Sequence, residues 1–186
     1  GEFFYINFDN LSRSFRFNPL KNVSDKTVLM QLMEDMLLSM QAKDAKQDEW
    51  FAGGLGILRG VAYRLYDEYR EYCTIPHILT LIMNSSQDSL TRFLEQNTIS
   101  EMMAGAFLKA KGSEKTQASY ISTLSNQIAT MATDENIAWV LSGNDFDFNL
   151  IDPEHPKMFA VSNNFSKNSV YSPVIAMLLS ISSRQF

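Results

Sequence analysis

SGNDFDFNLIDPEHPKMFAVSNN, residues 142–164, decides how the rest of the chain is read. Phe146, Phe148 and Leu150 alternate with Asp145, Asp147 and Asn149, a period of two that belongs to extended chain rather than helix. Pro153 and Pro156 follow, and Met158-Phe159-Ala160-Val161 then reads as a buried strand. A strand needs a partner, and the other candidate lies at the far end of the chain, in the aromatic run of residues 3–8. After the second strand, an apolar-periodic helix is expected from near Ser172-Pro173 to residue 186.

What lies between the two strands is helical. Pro19 pushes Asn18 out of the helical region, so residues 16–20 (RFNPL) are an extended lead-in. Ser24 is the expected N-cap of a helix with Val28, Leu29, Leu32, Met33, Met36, Leu37 and Met40 as its stripe. Residues 43–49 are a charged, solvated connector. The longest helix is expected from Trp50 to about Tyr72, with Leu55, Leu58, Ala62, Leu65 and Tyr69 on one apolar face. Gly53, Gly56 and Gly60 on it invite close approach by a partner helix.

Thr74 caps a short helix with Pro76 in its first turn, where a missing N–H is harmless, and residues 85–97 make another. Thr98 and Glu101 spell a capping box for a helix ending near Lys111-Gly112. Ser113 opens the next, with Tyr120, Leu124, Ile128 and Met131 spaced for burial, and Asp134 caps the last turns to Leu141. Residues 24–142 thus hold about six or seven helices in an irregular bundle, because no heptad persists. A helical region between two strands is the pattern of an insertion at the edge of an α/β unit.

Composition bounds the class. Hydrophobic content of 45% and charged content of 20% suit a soluble globular chain with a real core. The apolar runs are far shorter than the roughly 20 residues a membrane helix needs. No signal peptide is visible. The single Cys73 excludes an internal disulfide and fits a reducing compartment; with His77 and His155 the only histidines, no zinc site is expected. A net charge of -5 argues against a free-standing nucleic-acid binder but leaves room for a local basic patch. Gly1 in place of Met, and a periodic helix running to Phe186 without a stop signal, are what a piece of a longer chain would show.

The chemistry-bearing motifs resolve into structural ones. GGLGILRG (53–60) has the glycines of a dinucleotide loop but sits inside a helical pattern, without the strand-turn-helix context such a loop needs. IATMATDE (128–135) imitates an apolar run ending in a magnesium-binding acidic pair, yet its apolar residues keep helical spacing and Asp134 is a cap. Asp145, Asp147 and Asn149 begin like a calcium loop, but Leu150 stands where glycine is required and Pro156 where the closing glutamate belongs. No G-x-x-x-x-G-K-[ST] occurs. No catalytic, metal-binding or cofactor-binding residue is therefore expected. Lys109, Lys111 and Lys115 around Gly112 form a small basic loop able to touch phosphates or a partner, or simply to be a solvated turn.

The order of features nevertheless resembles a known family. An aromatic strand is followed by Asn18-Pro19-Leu20, a helix opening on Trp50-Phe51-Ala52, a helical region, then Ser142, Phe146 and Asp147 in S-x-x-x-F-D, a proline, a strand and a helix. This resembles the conjugative coupling proteins of the TraG/TraD type, the ATPases of type IV secretion systems; residues 163–186 look most like the versions in Bacteroides-type elements. The resemblance implies a mainly α fold, an all-α domain (24–144) inserted into a truncated RecA-like α/β core whose edges are residues 1–23 and 145–186. It implies a non-catalytic fragment that recognises or docks the relaxase–DNA substrate, with relaxosome proteins and DNA as partners. The parent would be a hexameric P-loop ATPase and DNA translocase at the cytoplasmic side of the bacterial inner membrane, using ATP and Mg. Its phosphate loop would precede residue 1 and its acidic magnesium strand would follow residue 186. The fragment alone is expected to be monomeric. A self-contained helical hydrolase with the acids of 145–152 near its site, or a regulatory adaptor, are the alternatives.

Overall fold

A computed structural model describes residues 1–185. Its two strands, β1 (Glu2–Ile6) and β2 (Lys157–Val161), come from opposite ends of the chain and pair in parallel, Glu2 with Lys157 through Ile6 with Val161. The ladder continues past both ends: the Glu2 amide donates to the Pro156 carbonyl (3.0 Å) and the Ser162 amide to the Ile6 carbonyl (2.9 Å). Parallel strands need a long crossover, and here the whole helical region serves as one. Phe4 and Ile6 of β1 turn inward, whereas Met158 is 66% exposed, so β2 is half-covered rather than buried as its composition suggests. A run of apolar residues cannot by itself say how many faces of a sheet are covered.

Eight helices follow one another in the crossover. They are α1 (Lys26–Ser39), α2 (Glu49–Glu68), α3 (Ile75–Asn84), α4 (Gln87–Glu95), α5 (Thr98–Met103), α6 (Gly105–Lys109), α7 (Glu114–Ala132) and α8 (Glu135–Leu141). Apart from α6, which has Ala104 at its N-cap, their caps follow the rule that a short polar side chain satisfies the free N–H groups of the first turn. Thr74, Ser113 and Asp134 do so where expected. Two caps fall one residue from their predicted places. Asp25, not Ser24, accepts from Thr27, and Asn97, not a Thr98–Glu101 box, accepts from Ser100. In both cases an acceptor-bearing neighbour competes for the same amides. The expected helix from 98 to 112 is broken at Ala104 into α5, α6 and a 3₁₀ turn (Ala110–Gly112).

α2 is the axis of the fold. It ends at Glu68, short of the predicted Tyr72, and passes into a 3₁₀ turn, Arg70–Tyr72. Its burial wraps nearly around the helix rather than lying on one face, because α1, α3, α5 and α7 all pack on it. The glycines permit this. A Cβ on Gly56 would stand 2.5 Å from the Met103 carbonyl oxygen, and one on Gly60 would stand 2.9 Å from that of Ser100. Tyr120 lies against Gly53. Ser100 is fully buried and donates to the Gly60 carbonyl at 2.7 Å, locking α5 onto α2.

The final helix, α9 (Asn168–Ser183), starts four residues before the predicted Ser172, with Pro173 inside it. Tertiary contact holds the extra turn: the Tyr171 ring stacks on Phe8 (5.2 Å) and its hydroxyl donates to the Phe8 carbonyl (3.3 Å). α9 packs on α1, where Asp35 accepts from Ser180 (2.9 Å) and Arg184 (3.2 Å). One hydrophobic core runs from Phe4 through the helices to Ile181.

Candidate functional site

The segments that carried the resemblance, distant in sequence, lie side by side. The Phe17 amide donates to the Val140 carbonyl (2.8 Å), and the Asp145 amide to the Arg16 carbonyl (2.9 Å). The Asp145 carboxylate accepts from the Arg16 amide at 2.7 Å, and Lys21 bridges Asn144 (2.8 Å) and Asp147 (2.6 Å). Between them Phe146 stacks on Phe4 (4.1 Å) and Phe17 (5.0 Å). The alternation at 145–150 is thus real in its burial, and the segment is irregular extended chain outside any ladder, its Asp145 amide going to the lead-in and its Leu150 amide to Gln185. Gly143 is needed here because the Arg16 backbone passes where a Cβ would be. Asn18 ties the lead-in to the helices: it donates to the Cys73 carbonyl and accepts from the Leu20 amide, both at 3.0 Å.

This seam forms one wall of an open groove of about 710 Å³. Arg16 and Trp139 line that side; Tyr69, Tyr72, His77 and Phe93 line the other. The 3₁₀ turn after α2 takes Tyr69 and Tyr72 off the buried face, leaving them 43% and 49% exposed, which corrects the expectation that Tyr69 completes the apolar stripe. Thr74 holds the mouth of α3: its hydroxyl accepts from the His77 amide (3.2 Å) and lies 2.6 Å from His77 Nδ1. Trp139 lies off the buried stripe of α8, which is Ile137, Val140 and Leu141. Arg16 is held over it, with the guanidinium carbon 4.5 Å from the ring centroid and Nε donating to the Trp139 carbonyl at 2.9 Å. Behind the groove, burial pushes the Cys73 thiol up to about 11 against the opposing pull of Arg70, so this cysteine is a packing residue, not a nucleophile.

The basic loop is a separate feature. Lys109 ends α6, Lys111 lies in the following 3₁₀ turn, and Lys115 is in the first turn of α7. All three are exposed, but Lys111 is bonded to Glu95 at 2.9 Å, and Glu95 and Glu101 share a surface depression with Lys109. The local charge is therefore largely offset. The acids of 145–152 are likewise engaged. Asp145 and Asp147 hold the lead-in, and a hydrogen bond from His155 keeps the Asp152 carboxyl below its ordinary range. The glycines of 53–60 lie within α2 with side chains and carbonyls against them, so their amides serve the helix and cannot cradle a phosphate.

Sequence reading singled out neither Arg16 nor the exposed aromatic residues. The available signal was Trp139, an aromatic side chain off its helix's apolar stripe, but its partners converge from five separate segments.

Comparison with known proteins gives a consistent picture. Residues 1–181 match the family described as "Type IV secretory system Conjugative DNA transfer". The comparison with curated proteins finds no match. Among solved structures, the plasmid coupling protein TrwB in complex with the non-hydrolysable GTP analogue GDPNP is similar with a TM-score of 0.71 at 13% identity, over 98% of this chain and 40% of that one. A trigonal form of the bacterial conjugative coupling protein TrwBdeltaN70 in complex with sulphate gives 0.71 at 14% identity, over 98% and 40%. TrwB in complex with ADP and Mg2+ gives 0.71 at 12% identity, over 98% and 41%. At such identities the likeness shows the fold, and the chain spans about two-fifths of the proteins it matches.

Proposed function

Since this chain belongs to the type IV secretory system conjugative DNA transfer family, we propose that it is the substrate-docking part of a coupling protein, without catalysis of its own. In this reading residues 24–144 are an all-α domain inserted into a RecA-like core, of which residues 1–23 and 145–186 are two edges. The observation that carries it is the β1–β2 pair. A two-stranded parallel sheet whose crossover is an entire helical region, with Phe3 57% and Met158 66% exposed, is physically incomplete, because parallel sheets are stable when both faces are covered. Elsewhere in the parent protein lie the remaining strands, the phosphate loop and the acidic magnesium site, and ATP and Mg belong there. The parent is then a P-loop ATPase and DNA translocase that assembles as a hexamer at the cytoplasmic side of the bacterial inner membrane.

The docking task falls to the helical region and its partners are the relaxosome proteins, with DNA as a further contact. Among the described residues no helix is long and apolar enough to cross a membrane. The chain alone is a monomer in this reading. Purified chain incubated with a relaxase–DNA complex is expected to bind it while neither binding nor hydrolysing ATP. Hydrolysis by the purified chain, or no association with the complex, would count against the proposal. Replacing Lys109, Lys111 and Lys115 together tests the basic loop. Reduced binding with a shallower salt dependence assigns it to phosphate contact, and unchanged binding removes it.

A further inference from the structure

The groove beside α8 carries a cation with nothing to meet. The Arg16 Nε is occupied by the Trp139 carbonyl, but among the described residues its two Nη groups have no hydrogen-bond partner and no carboxylate lies within ion-pair distance. Asp145 is engaged by the Arg16 backbone amide, and Glu71 lines a separate polar depression. No carboxylate lines the groove itself, and apart from His77, Thr80 and Ser142 the rest of its wall is aromatic and aliphatic.

We propose that this groove receives a peptide segment of a partner protein, with apolar side chains against Tyr69, Tyr72 and Trp139 and a neighbouring carboxylate on Arg16. The proposal rests on reading the chain as an interaction module. Charge complementarity selects the occupant. A guanidinium fixed over an indole, with its Nη edge free, presents the fork that a carboxylate grips with two parallel hydrogen bonds. Half-exposed Tyr and Trp rings are the side chains that anchor such contacts once water leaves. The volume, about 710 Å³, suits a few side chains and not a domain surface. Single-stranded nucleic acid would also stack on the rings, but one arginine in a chain of net charge -5 gives little neutralisation of successive phosphates.

The test is selection from a random linear peptide library displayed on phage, using the folded chain as bait. The expected binders pair apolar residues with Asp or Glu. They shift the indole NMR signal of Trp139 and leave that of Trp50 in place. Arg16→Glu weakens them about tenfold or more and restores affinity for their Lys-substituted versions. Tyr72→Ala, on the opposite wall, weakens both sets without reversing charge preference. Binders lacking an acid, no enrichment at all, or equal selection by the Arg16→Glu chain would overturn the proposal. So would an oligothymidine strand that shifts Trp139 and displaces the peptides. Relaxase–DNA binding separates the two readings. If it persists while selection fails, the groove falls and the module stands; if it fails while peptides bind, the groove stands with another partner.

Discussion

The α2 neighbourhood and the β1–β2 pair are built from similarly apolar sequence, yet one is closed on nearly every side and the other on one. Around α2, glycines bring backbone against backbone, and Ser100 fills its hydrogen bond inside the contact. In the sheet, Phe4 is 8% exposed and stacked on Phe146, while the adjacent Phe3 points away from the core. The difference teaches that apolar content alone does not define a core. Close approach and a second covering layer do. The open side of the sheet is also where the proposed nucleotide-binding core would continue.

The largest break in this comparison is expected within β1 itself. Phe4→Ala should cost about 3–5 kcal/mol by thermal or denaturant melting, whereas Phe3→Ala in this chain should lie within about 0.5 kcal/mol of wild type. In the full-length parent the Phe3 substitution should become destabilising, because the proposed core covers it; an unchanged melt there would refute that covering. Next comes Arg64, buried at the end of α2, whose Nη1 donates to the Phe93 carbonyl (2.5 Å) and Gln96 (2.8 Å) and whose Nε meets Glu68 at 3.0 Å. Arg64→Met keeps the stem but strands those acceptors, for a loss of roughly 2–3 kcal/mol.

Gly56→Ala should cost about 1–3 kcal/mol, since the Met103 carbonyl in its way is backbone and cannot rotate aside. Gly105→Ala, with nothing within 4 Å, should instead gain about 0.4–1 kcal/mol. The smallest effect is on pH. Burial works against the Asp35 carboxylate, but hydrogen bonds from Gln31, Ser180 and Arg184 outweigh it and hold its pKa below the ordinary value. A depressed carboxyl stabilises the fold above the unfolded-state pKa, and that contribution is lost as pH falls through the folded value. Melting temperature should therefore drop on acidification below the ordinary aspartate range. The Asp35→Asn chain should show a shallower drop.

Much of the helical region was legible because caps and stripes are local. Thr74, Ser113 and Asp134 announce their helices through side chains that reach only two or three residues along the chain. The family was legible for a similar reason, since its motif residues keep their order. Asn18 and Ser142 do local work at chain turns, and Phe146 joins the aromatic stack that any such seam requires. The groove was not legible. Arg16, Tyr72 and Trp139 have no spacing that relates them, and Tyr69 was placed on the wrong side because helical period was extended past Glu68, where the backbone tightens into a 3₁₀ turn.

By itself the sequence determined which segments coil, where most of them start, and that residues 142–164 leave the helices, because capping and periodicity are short-range physics. Only the tertiary structure decided the rest. It paired β1 with β2 across the whole helical region, extended α9 back over Pro173 through Tyr171, and joined the 145–150 segment to the lead-in as a seam. Each of those outcomes depends on what a backbone amide or an aromatic ring meets after the chain has closed on itself. Residue order does not encode such contacts locally.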